Sequence, residues 1–130
     1  MANPNIVSVS SIYGESIGKA LTTDITLDIL TVSSNKLLKI NFISVCNTDA
    51  TTATDVTVSV VKAGFTSAGV GSGDDTPGTF KLVSTVNCPA DDVLIVLDKP
   101  IYLQETDKLE GGANPATADI FISYEVIDDA

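Results

Sequence analysis

Residue types that commonly do chemistry are scarce in this chain, and their positions decide which reactions are open to it. There is no His, and the two cysteines, Cys46 and Cys88, stand far apart with neither in a CxxC pair. Acidic residues are plentiful and fall side by side at Asp74-Asp75, Asp91-Asp92 and Asp128-Asp129. Paired carboxylates serve glycoside hydrolysis, but across a cleft lined with aromatics, and aromatic residues are 5% of this chain. Adjacent acids in turns read more simply as solvated. No GxSxG elbow is present and no Lys sits in a nucleophile motif, so no catalytic residue is assigned and an enzyme is not expected.

Metal and cofactor chemistry is equally short of suppliers. Without His or a cysteine cluster, zinc and haem sites have no ligand set. The stretch Gly71-Ser72-Gly73-Asp74-Asp75-Thr76 offers oxygen donors on a glycine-rich backbone, which Ca²⁺ accepts, but lacks the spaced acids and final Glu of an EF-hand. It also lacks the Lys-Ser/Thr and following helix of a phosphate loop. The expectation is no cofactor and no metal, with a mobile surface loop as the simpler reading of this stretch.

Charge narrows the partners. Seven Lys, no Arg and seventeen Asp plus Glu give a formal net charge of -10. Nucleic-acid binding depends on neutralising phosphates with Lys and Arg, so no nucleic-acid partner is expected. Surplus acid keeps an apolar-rich β-protein soluble, and a basic protein partner or a bound cation is the functional alternative. The longest uncharged apolar runs fall far short of the ~20 residues that span a bilayer, so no membrane helix is expected. The first residues, MANPNIVSVSS, lack the basic and apolar regions of a secretory signal, and both thiols read as reduced, Cys46 as a small core residue.

The elements that would position any site are strands. Val, Ile, Thr and Ser dominate, a mixture that favours sheet over helix. Residues 2–14 carry no charge and read as a first strand or an extended arm, followed by a short link, Glu15–Thr23. Asp24–Val32 alternates as a half-buried strand with Ile25, Leu27 and Ile29 on one face. Lys36–Cys46 is apolar on both faces, with Leu38, Ile40, Phe42 and Cys46 on one and Leu37, Ile43 and Val45 on the other. Asp55–Lys62 alternates again, and Ala63–Gly78 is a long loop holding five of the nine glycines. Thr79–Asn87 follows, then Val93–Leu97, apolar at every position, then Ile101–Leu103, Lys108–Gly111 and the closing strand Ala118–Ile127. In the closing strand Ile120, Ile122, Tyr124 and Val126 alternate with Phe121, Ser123, Glu125 and Ile127.

About eight strands with frequent turn signals and no substantial helix predict an all-β fold, a single antiparallel β-sandwich that is jelly-roll-like. Residues 1–14 form its N-terminal segment or first strand and residues 15–130 the sandwich domain. A strand in a two-layer sandwich needs only one apolar face. The second faces of Lys36–Cys46 and Val93–Leu97 therefore call for a cover, either the N-terminal segment or long loop of the same chain or a second copy.

The C-terminal block, PIYLQETDKLEGGANPATADIFISYEVI, resembles the ending of small structural proteins of tailed bacteriophages. There a strand, corner and strand like "YLEEGDSLKA" precede a short loop and a terminal strand ending in "SYEEI". The matching residues are Tyr102, Leu103, Glu105, Asp107 and Leu109, then Ser123, Tyr124, Glu125 and Ile127. Upstream, the stretch Leu37–Val61 is similar in rhythm, with Cys46-Asn47-Thr48 ending its apolar strand. Thr106 stands where that group usually has glycine, and loop 63–78 is an extension. The resemblance implies a non-enzymatic virion component made in the host cytoplasm and assembled as an oligomer, commonly a homotrimer.

Within that class the acidic charge, small size and strand-rich build suit a capsid decoration or cement protein that reinforces capsomer contacts, with the major capsid protein or another virion protein as partner. A neck, tail or fibre-attachment adaptor is the alternative, and a carbohydrate-binding sandwich the reading outside the class. Candidate interface residues are Ile6, Val7, Val9 and Ile12 in the N-terminal segment and Phe65 and Val70 in the long loop.

Overall fold

Apolar alternation turns into a sandwich because, among the described residues, nine strands pair in two separate antiparallel sheets. The structure, a computed structural model, describes residues 11–64 and 76–128. The strands are β1 (Ser11–Ala20), β2 (Asp28–Thr31), β3 (Lys36–Asn47), β4 (Thr54–Lys62), β5 (Gly78–Cys88), β6 (Val93–Leu97), β7 (Ile101–Leu103), β8 (Lys108–Asn114) and β9 (Ala118–Asp128). One sheet runs β1-β9-β3-β6, with β7 also paired to β3; the other runs β2-β8-β4-β5. The all-β sandwich read from the sequence is therefore the fold, with one strand more than expected.

The core lies between the sheets and is aliphatic. Ile40, Ile43, Val45, Ile120 and Ile122 from one sheet meet Val56, Val58 and Leu109 from the other, each at most 1% exposed. β9 behaves as its alternation predicts: Ile120, Ile122, Tyr124 and Val126 are buried, while Phe121, Ser123 and Glu125 face away.

β3 departs from expectation. Against β9 its register steps from Ile40–Tyr124 to Phe42–Ser123, leaving Asn41 as a one-residue bulge. A bulge reverses which residues point inward. Leu38 and Ile40 before it and Ile43, Val45 and Asn47 after it all face the core, and Phe42, Ser44 and Cys46 face out. Its apolar face thus changes phase midway, and only at its start is the strand apolar on the second face, where Leu37 is buried opposite Ile127. Cys46 is accordingly exposed rather than a core residue, and it is Cys88 that is buried; both thiols are free.

Two other expectations are corrected. Only Asp28–Thr31 of the 24–32 stretch is strand, because the Asp24 side chain accepts hydrogen bonds from Thr26 N at 2.9 Å and Thr26 Oγ1 at 2.6 Å and bends the chain. This bend lies against β8, where a Cβ on Gly112 would sit 2.5 Å from Asp24 O, so glycine admits the crossing. The link expected at Glu15–Thr23 is instead largely the second half of β1, which runs unbroken past position 14.

Polar side chains fasten the connections. Asn47, fully buried, donates from Nδ2 to Thr52 O at 2.9 Å and Cys88 O at 3.1 Å and accepts Thr117 Oγ1 at 2.9 Å on Oδ1. It ties three connections together. Asp107, also fully buried, accepts from Lys62 Nζ at 2.5 Å, Ala63 N at 2.9 Å and Gln104 N at 2.9 Å. Beside it Thr106 adopts φ 70°, the left-handed conformation for which glycine is the low-cost residue.

Candidate functional site

Register fixes what the outer face of the five-stranded sheet presents. Residues directly opposite in an antiparallel pair share a face. One row therefore crosses the sheet as Gly18, Phe121, Ser44 and Ile95, and the next as Ala20, Asp119, Cys46 and Val93. A third row is Gly14, Glu125, Lys39 and Tyr102. Between them lie Ser16, Ser123 and Phe42.

This face is apolar where it protrudes and small where it does not. Phe121 is 49% exposed, Ile95 48%, Val93 51% and Tyr102 48%. The Phe121 ring leans over Gly18, where an added Cβ would lie 3.4 Å from its Cδ1. Such packing of an aromatic on a cross-strand glycine protects the backbone there and holds the ring in place. The only charges in the three rows are Lys39, Glu125 and Asp119, with Lys39 Nζ 3.8 Å from Glu125 Oε2. In a chain of net charge -10 this is a nearly neutral surface. Apolar side chains in an exposed cluster with paired charge are what a protein–protein contact uses.

A second feature is the open mouth between β1 and β2, the edges of the two sheets. Tyr13, Glu15, Leu30, Thr31, Lys36, Leu38 and Tyr124 line a cavity of about 180 Å³ there. Tyr124 O–H donates to Glu15 Oε2 at 2.7 Å. Burial first, and the neighbouring carboxylate second, push the phenol up to about 12. Lys36 is paired with Asp128 at 2.8 Å. The charged groups at the mouth thus satisfy one another, an arrangement that holds strand ends together.

The acidic pairs lie only partly within the described residues. Asp91 sits in a turn at φ 55°, and Asp92 Oδ1 accepts from Val93 N at 2.8 Å. Asp74, Asp75 and Asp129 lie outside the described residues. Among the described residues no three His, Cys, Asp or Glu side chains gather at metal-binding distance.

Of the candidate interface residues, Ile12 is 54% exposed on β1, opposite Ile127. Ile6, Val7, Val9, Phe65 and Val70 lie outside the described residues. Phe121, Ile95, Val93 and Tyr102 were missing from the sequence-derived set. Their signal was present: Phe121 interrupts the polar side of an alternating strand, and VLIVL has no polar side.

No protein-family model matches the chain, and no curated protein matches it. Among solved structures, a chain in the structure of infectious bursal disease virus Gt strain is similar at 13% identity and a TM-score of 0.30. The similarity covers 91% of this chain and 33% of that one, and no reading of this protein rests on it.

Proposed function

We propose that this chain is a non-enzymatic structural protein of a phage virion, a capsid decoration or cement protein that docks through the outer face of its five-stranded sheet. The observation that carries the reading is that face: Phe121, Ile95, Val93 and Tyr102 half-exposed among Gly, Ala and Ser, with almost no net charge. Covering the exposed half of each large side chain is worth about 1 kcal/mol. A shell partner supplies that cover many times over, since a decoration protein needs only a patch matched to its support. The C-terminal resemblance to phage structural proteins supports the same class, and a location in the virion is part of the proposal.

The test mixes the protein with expanded, undecorated capsid shells of the encoding virus and measures bound copies by sedimentation. The Phe121→Asp/Ile95→Asp variant is expected to lose binding while keeping the β-sheet circular dichroism of the parent. Undiminished binding by that folded variant would overturn the docking face. Failure of the parent to bind heads, with binding to tails or necks instead, would move the protein to the adaptor role.

A further inference from the structure

We propose that the free edge of β1 pairs with β1 of a second copy, antiparallel about a twofold axis through Ile17. The inference goes beyond the virion reading and does not depend on it. Among the described residues β1 pairs only with β9, so its far side presents the backbone groups of an open sheet edge. Edges that must stay single are shortened, bulged, charged or broken by Pro. β1 has ten residues, no Pro, and a register with β9 that never shifts.

It also buries little. Ile17 is half-buried and every other residue of β1 is exposed, including Ile12 at 54% and Tyr13 at 41%. A strand this long, held by one ladder, gains cover from a partner on its open side.

Charge selects the partner and the register. β1 carries one acid and one base, Glu15 and Lys19, both on the side of the strand that faces the other sheet. Extending the sheet about a twofold perpendicular to it keeps like faces together, so the axis must pass through a residue position. With the axis at Ile17, Glu15 of each copy stands opposite Lys19 of the other, Ser16 opposite Gly18, and Gly14 opposite Ala20. An axis at Glu15 or Lys19 sets like charges against each other, and axes at Ser16 or Gly18 leave both charges opposite uncharged residues. Within its own chain Glu15 accepts from Tyr124 of β9 and Lys19 Nζ donates to Asp28 O at 3.2 Å, and the pairing of Glu15 with Lys19 of the second copy is made with their remaining hydrogen-bonding capacity. Pairing at Ile17 also sets the two open faces side by side as one continuous surface.

The experiment measures molar mass by light scattering on the full chain across a concentration series. The parent is expected at twice the chain mass. Glu15→Lys and Lys19→Glu each weaken pairing about tenfold or more, and the double exchange restores it. In a Cys46→Ser background, Ile17→Cys forms an intermolecular disulfide on oxidation and Gly14→Cys does not, because only the axial residue meets itself. A parent that is monomeric at every concentration, or trimeric as the phage resemblance implies, overturns the proposal. So does a folded Glu15→Lys chain that dimerises like the parent. None of these readouts involves a capsid, so they leave the docking-face test independent.

Discussion

β1 and β9 are adjacent strands matched residue for residue over the ten positions of β1, yet they hold the fold in different ways. β9 has a strand on each side and alternates buried with outward residues; β1 has β9 on one side and buries almost nothing. Since a backbone hydrogen bond contributes only about 1 kcal/mol net, the shared ladder does not make the two strands equal. Packing does. The C-terminal block, with its buried corner at Asp107, is where stability resides, and β1 is surface laid along it.

The contrast is sharpest at the corner. Asp107→Ala removes the acceptor of two backbone N–H groups and the carboxylate paired with Lys62, which keeps its hydrogen bond to Gln104 Oε1, so a loss of about 4 kcal/mol in urea denaturation is expected. Ile122→Ala in β9 should cost about 3 kcal/mol, whereas Ile12→Ala in β1 should stay within about 0.5 kcal/mol. Equal losses at the two isoleucines would break the comparison. Asn47→Ala, which orphans the carbonyls of Thr52 and Cys88, should cost about 2 kcal/mol by the same measurement.

The next effect has the opposite sign. Thr106→Gly relieves a β-branched residue from a left-handed conformation and should stabilise by about 1 kcal/mol, seen as a higher urea midpoint.

The last effect, read only at high pH, comes from Tyr124. Its phenol is raised to about 12 in the folded chain against about 10 in the unfolded one, so the folded state holds the proton longer. That stability is complete below pH 10 and is lost as pH rises through 12. The urea midpoint of Tyr124→Phe should therefore fall less than the parent's over that range.

How much of this was legible from sequence follows from where each residue finds its partner. β9 reads directly, since its alternation is local and matches its burial from Ala118 to Val126, with Ile127 buried out of phase. Val93–Leu97 was also bounded correctly by its turns. The second half of β1 was not legible, because a strand exposed on both faces has no apolar period to detect, and Gly18-Lys19-Ala20 looks like a link. The depth of Asp107 was hidden for another reason: its cation, Lys62, comes from a distant strand. At the candidate site, the sequence announced that Val93–Leu97 had a spare apolar face, but the register that groups Ile95 with Phe121 is tertiary information. Cys46 was misread because nothing in KLLKINFISVC marks Asn41 as unpaired.

That unpaired residue acts on β3 as a frameshift acts on a coding sequence. Everything after Asn41 is read in the other phase, so the strand is one message spliced from two frames. Pairing Asn41 into the ladder instead of looping it out would carry Phe42, Ser44 and Cys46 toward the core and turn Ile43 and Val45 out to water, whereas deleting it would join Ile40 to Phe42 and leave both faces as they are. A slip of one residue in the pairing would turn the far half of the central strand inside out, and erase the docking face with it.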